Sequence, residues 1–214
     1  MLLDFEKLPP RDAYGWMISA ITPRPIAWVT TLSADGRTNL APYSFFQGVC
    51  SNPPTLLFVP TNTRDGGKKD TLANCKPVGE GGTGQFAVCV ATEAIIRPVA
   101  VAAEPLPHGE SEIDHVGLAT VPATRVRPPR LAEAPVAFEC ALDRIVRVGE
   151  GVGAGNVVLG RILVAHVSES VLGPAGAIDP RKLDTIGRMG GDFYTRTTEL
   201  FTLDRPTGGS SNRS

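Results

Sequence analysis

The stretch Pro25–Phe46, PIAWVTTLSADGRTNLAPYSFF, decides how the chain folds. Its first part, PIAWVTTLS (Pro25 to Ser33), is dense in β-branched and aromatic residues and reads as a strand. Asp35-Gly36 closes it with a strong hairpin pair, and RTNLAPY brings the chain back. The returning arm breaks the expected rhythm. From Pro42 to Phe46 it does not alternate apolar with polar residues, so more than strand packing is written there.

Similar runs recur downstream. PTLLFVPT is a short continuous apolar run bounded by prolines, and GQFAVCVAT (Gly84 to Thr92) is another. VAFECALDRIVRVGE and NVVLGRILVAHVSESVL are joined by the glycine-rich GVGAG and read as a long antiparallel pair. That makes about six strands. Helical signals are fewer: RDAYGWMISAI, KDTLANCK at 69 to 76, EAIIRPVAVAA broken by Pro98, and PRKLDTIGRM. Strands joined mainly by turns, with helices inserted singly, predict a mainly β antiparallel barrel and not a doubly wound parallel sheet. One domain is expected over residues 1–204, followed by a disordered tail at 205–214 that is polar and rich in glycine and serine.

Composition excludes several function classes. Among 214 residues, 42% are hydrophobic and 20% charged, and the net charge is −1. A chain without an accumulated positive face gives no reason to expect nucleic acid, and the basic run Arg125–Arg130 is broken by prolines. Cys50, Cys75, Cys89 and Cys140 lie too far apart for a zinc ribbon or a redox couple, and His108, His115 and His166 are equally scattered, so no metal is expected. No apolar run approaches transmembrane length and no secretory pattern opens the chain, which predicts a cytoplasmic protein without membrane contact.

Gly79, Gly81 and Gly84 spell the spacing of a dinucleotide fingerprint, but in reversed context. That fingerprint needs a strand before the glycines and a helix after, whereas here a helical piece precedes and QFAVCV follows. The glycines read as a connection.

The chemistry concentrates in four stretches: TPRPIAWVTTLSADGRTNLAPYSFF, RDGGKKDTLANC, PRLAEAPVAFEC and IGRMGGDFY. In this order they resemble the flavin reductase-like, FMN-binding split-barrel family over about residues 15 to 200. The resemblance implies a six-stranded antiparallel Greek-key split barrel, a homodimer, FMN near the dimer interface, NAD(P)H as electron donor and an oxygenase or other redox partner as acceptor.

Residue chemistry points the same way. A flat amphipathic ring needs an apolar or aromatic wall and a few backbone partners, and its dianionic phosphate needs hydroxyls and a fixed cation. Trp28, Tyr43, Phe45 and Phe46 offer the wall, with the rigid backbone of Ala41 and Pro42 beside them. Thr30, Thr31 and Ser44 offer hydroxyls, although Thr30 and Thr31 alternate in a strand, so that one faces the core and the other the ligand. Lys69, followed by Asp70 and Thr71 where a helix begins, offers a phosphate seat. Arg188 in GRMGG takes a ligand or interface role on the family pattern. Arg24, between two prolines, is an interface residue or a phosphate partner; His166 is a strand histidine or borders the site from the partner subunit.

No Ser/His/Asp or Cys/His constellation is visible, so no catalytic side chain is assigned; in flavin chemistry the cofactor carries the reaction. Gln47, Cys89 and Pro98 stand where relatives often carry asparagine. A noncatalytic FMN-binding or electron-relay module is therefore the second reading, and a split-barrel oxidase acting on a vitamin-like phosphate the third.

Overall fold

The computed structural model describes residues 1–104, 106–107 and 110–203. The tail expected at 205–214 lies outside the described residues, as does His108.

The hairpin that the opening stretch predicts is present. Strand β1 (Ala27–Leu32) pairs antiparallel with β2 (Thr38–Tyr43), Ala27 opposite Tyr43 and Leu32 opposite Thr38. Beyond β2 the chain turns through Ser44 and Phe45 into β3 (Phe46–Ser51), which pairs with β4 (Pro54–Phe58). Strand β5 (Gln85–Val90) lies against β1, and the long hairpin of β8 (Val136–Val148) and β9 (Gly155–Val167) completes the sheet. Two short ladders stand apart, β6 (Thr120–Val121) with β7 (Arg130–Leu131), and β10 (Ile186–Arg188) with β11 (Tyr194–Arg196).

The main sheet therefore has seven strands, in the order β2-β1-β5-β8-β9-β4-β3, not six. The additional member is β3. All its residues after Phe46 are exposed, so it carries none of the period-2 burial that reveals a strand in sequence.

Although β2 and β4 stand five places apart in that order, the rings of Tyr43 and Phe58 meet at 5.1 Å. In a flat sheet that separation would be about 24 Å at the usual strand spacing, so the sheet is rolled. Inside the roll, Phe58 packs edge-on against Phe86 at 5.3 Å, joined by Ala27, Val29, Leu56, Val88 and Val158. Phe86 fits because β9 carries Gly160 beneath it: a Cβ at that position would stand 2.2 Å from the ring.

A second core covers the outer face. Trp28, Leu40, Cys89 and Ala137 pack there against Ile95, Val99, Ile113 and Leu131. Ile95 comes from the short turn Glu93–Ile95 before helix α3 (Ile96–Val101), and the others from α3, helix α4 (Glu112–Val116) and the segment between α4 and β8. Helix α4 also covers the free edge of β2, where the Glu112 carboxylate accepts the Leu40 amide at 2.8 Å and the Thr38 and Ser111 hydroxyls meet at 2.7 Å.

Helix α1 (Pro10–Ala20) and helix α2 (Asp70–Cys75) fall where the sequence places them. The last helical signal does not hold its length. Helix α5 (Pro180–Leu183) stops at Asp184, whose backbone turns left-handed at φ 49°, and the rest of PRKLDTIGRM is β10. The glycines 79, 81 and 84 connect α2 to β5. No described helix is long and apolar enough to cross a membrane.

Candidate functional site

Three elements meet at the rolled sheet's seam: the end of β2, the start of α2, and the β10 loop. At the β2 end, Tyr43 is buried, while Ser44 and Phe45 are half-buried and Phe45 meets the exposed Tyr14 of α1 edge-on at 6.4 Å. Ala41 and Pro42 are half-buried beside them.

Lys69 caps α2 from outside, and its Nζ stands 5.5 Å from the Tyr43 ring centroid. The side chain is exposed and pairs with no carboxylate among the described residues. Desolvation by its surroundings holds its pKa below the usual lysine value, and the charge of Glu112 offsets part of that. A cation so placed is stabilised by an arriving anion. Helix α2 has only six residues, so the seat rests on the ammonium and not on a helix dipole.

Beneath Lys69, a buried polar network fixes α2 to the hairpin. Asn39 Nδ2 donates to Thr31 Oγ1 at 3.1 Å and to Thr71 Oγ1 at 2.9 Å, and Asn74 Nδ2 donates to Thr31 Oγ1 at 3.0 Å. Asp70 occupies the first turn of α2.

Trp28, Thr30 and Thr31 stand elsewhere than expected. Trp28 is 1% exposed in the outer core, and both threonines are wholly buried. The alternation argument assumed one open face on β1, but both faces are covered: Thr31 joins the network under α2, and Thr30 donates to the carbonyl of Pro129 at 2.5 Å. Tyr43, 5% exposed, likewise packs into the inner core against Phe58, so of the expected aromatic wall only Phe45 and Phe46 remain half-buried.

The β10 loop is brought in by Arg24, which is 5% exposed. Its Nη1 donates to the carbonyls of Ile18 and Ile21, its Nη2 to Met189, and its Nε to Ser44 Oγ at 3.4 Å. The guanidinium is thus spent on the chain itself, tying the end of α1 to the loop after β10. Gly190 permits the approach, since a Cβ there would meet Ser19 Oγ at 2.6 Å. Arg188 lies next to this knot, half-buried, with its guanidinium 4.5 Å from the Tyr194 ring.

His166 belongs to a different place. On the outer face, its Nε2 meets Glu139 Oε1 at 2.5 Å, and the same carboxylate accepts the amides of Thr124 at 2.6 Å and Arg125 at 2.5 Å. Burial acts to raise the Glu139 pKa, yet the two amides and His166 outweigh it and hold the carboxyl below its usual value. Sequence reasoning passed over Glu139, although a lone carboxylate inside the apolar VAFECAL is a signal that partners must exist.

Comparison with known proteins identifies the family. The family model described as flavin reductase like domain matches residues 19–187. An uncharacterised protein of Halalkalibacterium halodurans is 35% identical, covering 97% of each chain, and YwrF of Bacillus subtilis is 37% identical over 94% of this chain and 97% of its own. Nitrilotriacetate monooxygenase component B from Bacillus cereus superposes with a TM-score of 0.87 at 30% identity, covering 95% of this chain and 98% of its own. Pseudomonas fluorescens 2-nitrobenzoate 2-nitroreductase NbaA gives 0.85 at 28% identity, covering 99% and 100%. With the family's model spanning the hairpin and α2 and ending within β10, the chain belongs to the flavin reductase-like family and is a flavin-related oxidoreductase.

Proposed function

We propose that the protein is a flavin reductase-type enzyme that holds FMN between the β2 end and Lys69, accepts hydride from NADH or NADPH, and passes electrons to a second acceptor. One observation carries this: an exposed ammonium that forms no ion pair among the described residues stands beside an aromatic strand end. FMN combines a flat ring with a dianionic phosphate, and both needs are met there.

When bound, the flavin supplies the hydride-accepting and electron-releasing chemistry. The chain supplies the rest. Lys69 neutralises phosphate charge. Ser44, whose oxygen accepts from Arg24, keeps its own proton to donate. Phe45 and Tyr14 exclude water from the turn, and the Asn39–Thr31–Thr71–Asn74 network keeps α2 fixed so that the ammonium does not drift. Arg188, with one face on Tyr194, is the second cation offered toward a ligand or a partner subunit.

We further propose a cytoplasmic homodimer. The likeness to nitrilotriacetate monooxygenase component B supports an oxygenase as the electron acceptor.

An absorbance spectrum with FMN titration, followed by stopped-flow mixing with NADH or NADPH, tests the reading. A yellow complex bleached by the nicotinamide faster than free FMN is the expected result. Protein that takes up no FMN overturns it; a complex bleached no faster than free FMN makes the protein a noncatalytic carrier.

A further inference from the structure

A groove of about 480 Å³ lies on the other flank of α2, against the β8–β9 hairpin. Leu72 borders it from α2 itself, and Lys68 and Lys76 from the chain just before and just after the helix. Arg144, Arg147 and Ile145 border it from β8.

Charge is segregated here. The chain as a whole carries −1, yet four cations line the groove against two carboxylates, Glu80 and Asp143. Arg144 is already paired with Asp143 at 2.9 Å. Lys68, Lys76 and Arg147 have no ion pair among the described residues. A concave surface with uncompensated cations concentrates anions.

The floor is apolar and has one polar reader. Leu72 is buried, Leu142 and Ile145 half-buried, giving a surface on which a flat ring can rest. Asn156 is 4% exposed and spends both amide hydrogens, on the Pro60 carbonyl and on Asn62 Oδ1. Its side-chain oxygen has no donor among the described residues and is fitted to accept from an exocyclic amine.

We infer that this groove binds the phosphate-bearing adenosine end of the nicotinamide donor, with Lys68, Lys76 and Arg147 on the phosphates and Asn156 reading the purine. The inference rests on the flavin reductase reading for its donor but not for its geometry. Lys68 borders the groove while the next residue, Lys69, stands by the Tyr43 ring, so the chain entering α2 would lie between an adenosine subsite and the flavin seat.

Isothermal titration with adenosine diphosphate, pyrophosphate and adenosine, on protein with and without FMN, tests it. Adenosine diphosphate should bind in both states, more tightly than either fragment. Lys76→Glu and Arg147→Glu should each weaken it about tenfold, the loss of one charge-assisted contact, while circular dichroism and FMN affinity stay unchanged. Adenosine diphosphate should also compete with the nicotinamide donor. Absence of binding, or binding indifferent to the charge reversals, overturns the groove; binding without competition overturns its assignment to the donor. Protein that binds adenosine diphosphate but not FMN would sink the flavin reading alone, so the two failures are distinguishable.

Discussion

The Lys69 ammonium stands 5.5 Å from the centroid of the Tyr43 ring and pairs with no carboxylate among the described residues. Burial of the Tyr43 phenol pushes its pKa up, so the ring stays neutral and gives the ammonium only the weak attraction of a π face. The ring therefore does not neutralise the ammonium, and the Glu112 charge acts on it without forming an ion pair among the described residues. Replacing Lys69 with alanine should weaken FMN binding by about 1 to 3 kcal/mol, the range for a charged hydrogen bond. Flavin fluorescence titration reads this directly, and unaltered affinity would place the phosphate elsewhere.

The same lysine sets a pH dependence. Its pKa is lowered by desolvation, so the ammonium loses its proton at a lower pH than an ordinary lysine would. FMN affinity should be full below that pKa and fall as pH rises through it. Lys69→Arg, which stays charged, should flatten the alkaline limb.

Glu139 is held below the usual carboxylate pKa by Thr124, His166 and Arg125 against the opposing cost of burial. A depressed carboxylate contributes stability that is present above its unfolded pKa and lost as pH falls through the folded one. Glu139→Gln should cost about 1 to 3 kcal/mol at neutral pH, since an amide cannot accept both backbone N–H groups. Urea melts of both proteins should converge as the buffer is acidified toward the carboxylate range.

Gly160→Ala should be among the costlier small substitutions in the molecule. The added methyl would enter the Phe86 ring at 2.2 Å, and that ring is fully buried against Phe58. Overpacking of this kind costs about 1 to 3 kcal/mol; a melting temperature equal to that of the parent would mean that Phe86 has room to move.

Arg24→Lys should loosen α1 without unfolding the sheet. A single ammonium cannot reach the carbonyls of Ile18, Ile21 and Met189 together as the guanidinium does. Hydrogen exchange over residues 10–21 should accelerate while β1 and β5 stay protected.

Much of this was legible in the chain. Runs of β-branched and apolar residues and the Asp-Gly turn gave away six of the seven sheet strands, and the aromatic density after Pro42 marked where β2 stops being only a strand. What stayed hidden was hidden for physical reasons. Strand β3 has no buried face, so its residues after Phe46 carry no pattern. The covering of the outer face by α3, α4 and the segment before β8 is a tertiary event; without it, Trp28 and Thr30 look available when in fact they are enclosed. Arg24 reads in sequence as either an interface residue or a phosphate partner because its carbonyl partners lie 3, 6 and 165 residues away and carbonyls have no sequence signature.

Only Ser44 and Phe45 link the first and last strands of the sheet order. The polypeptide therefore acts as its own hinge pin at the place where a cofactor is to rest, and severing it there would let the roll spring open. New chain ends opened at the exposed tip near Gly151 would leave that pin whole, which makes the tip, and not the seam, the place to circularly permute this protein.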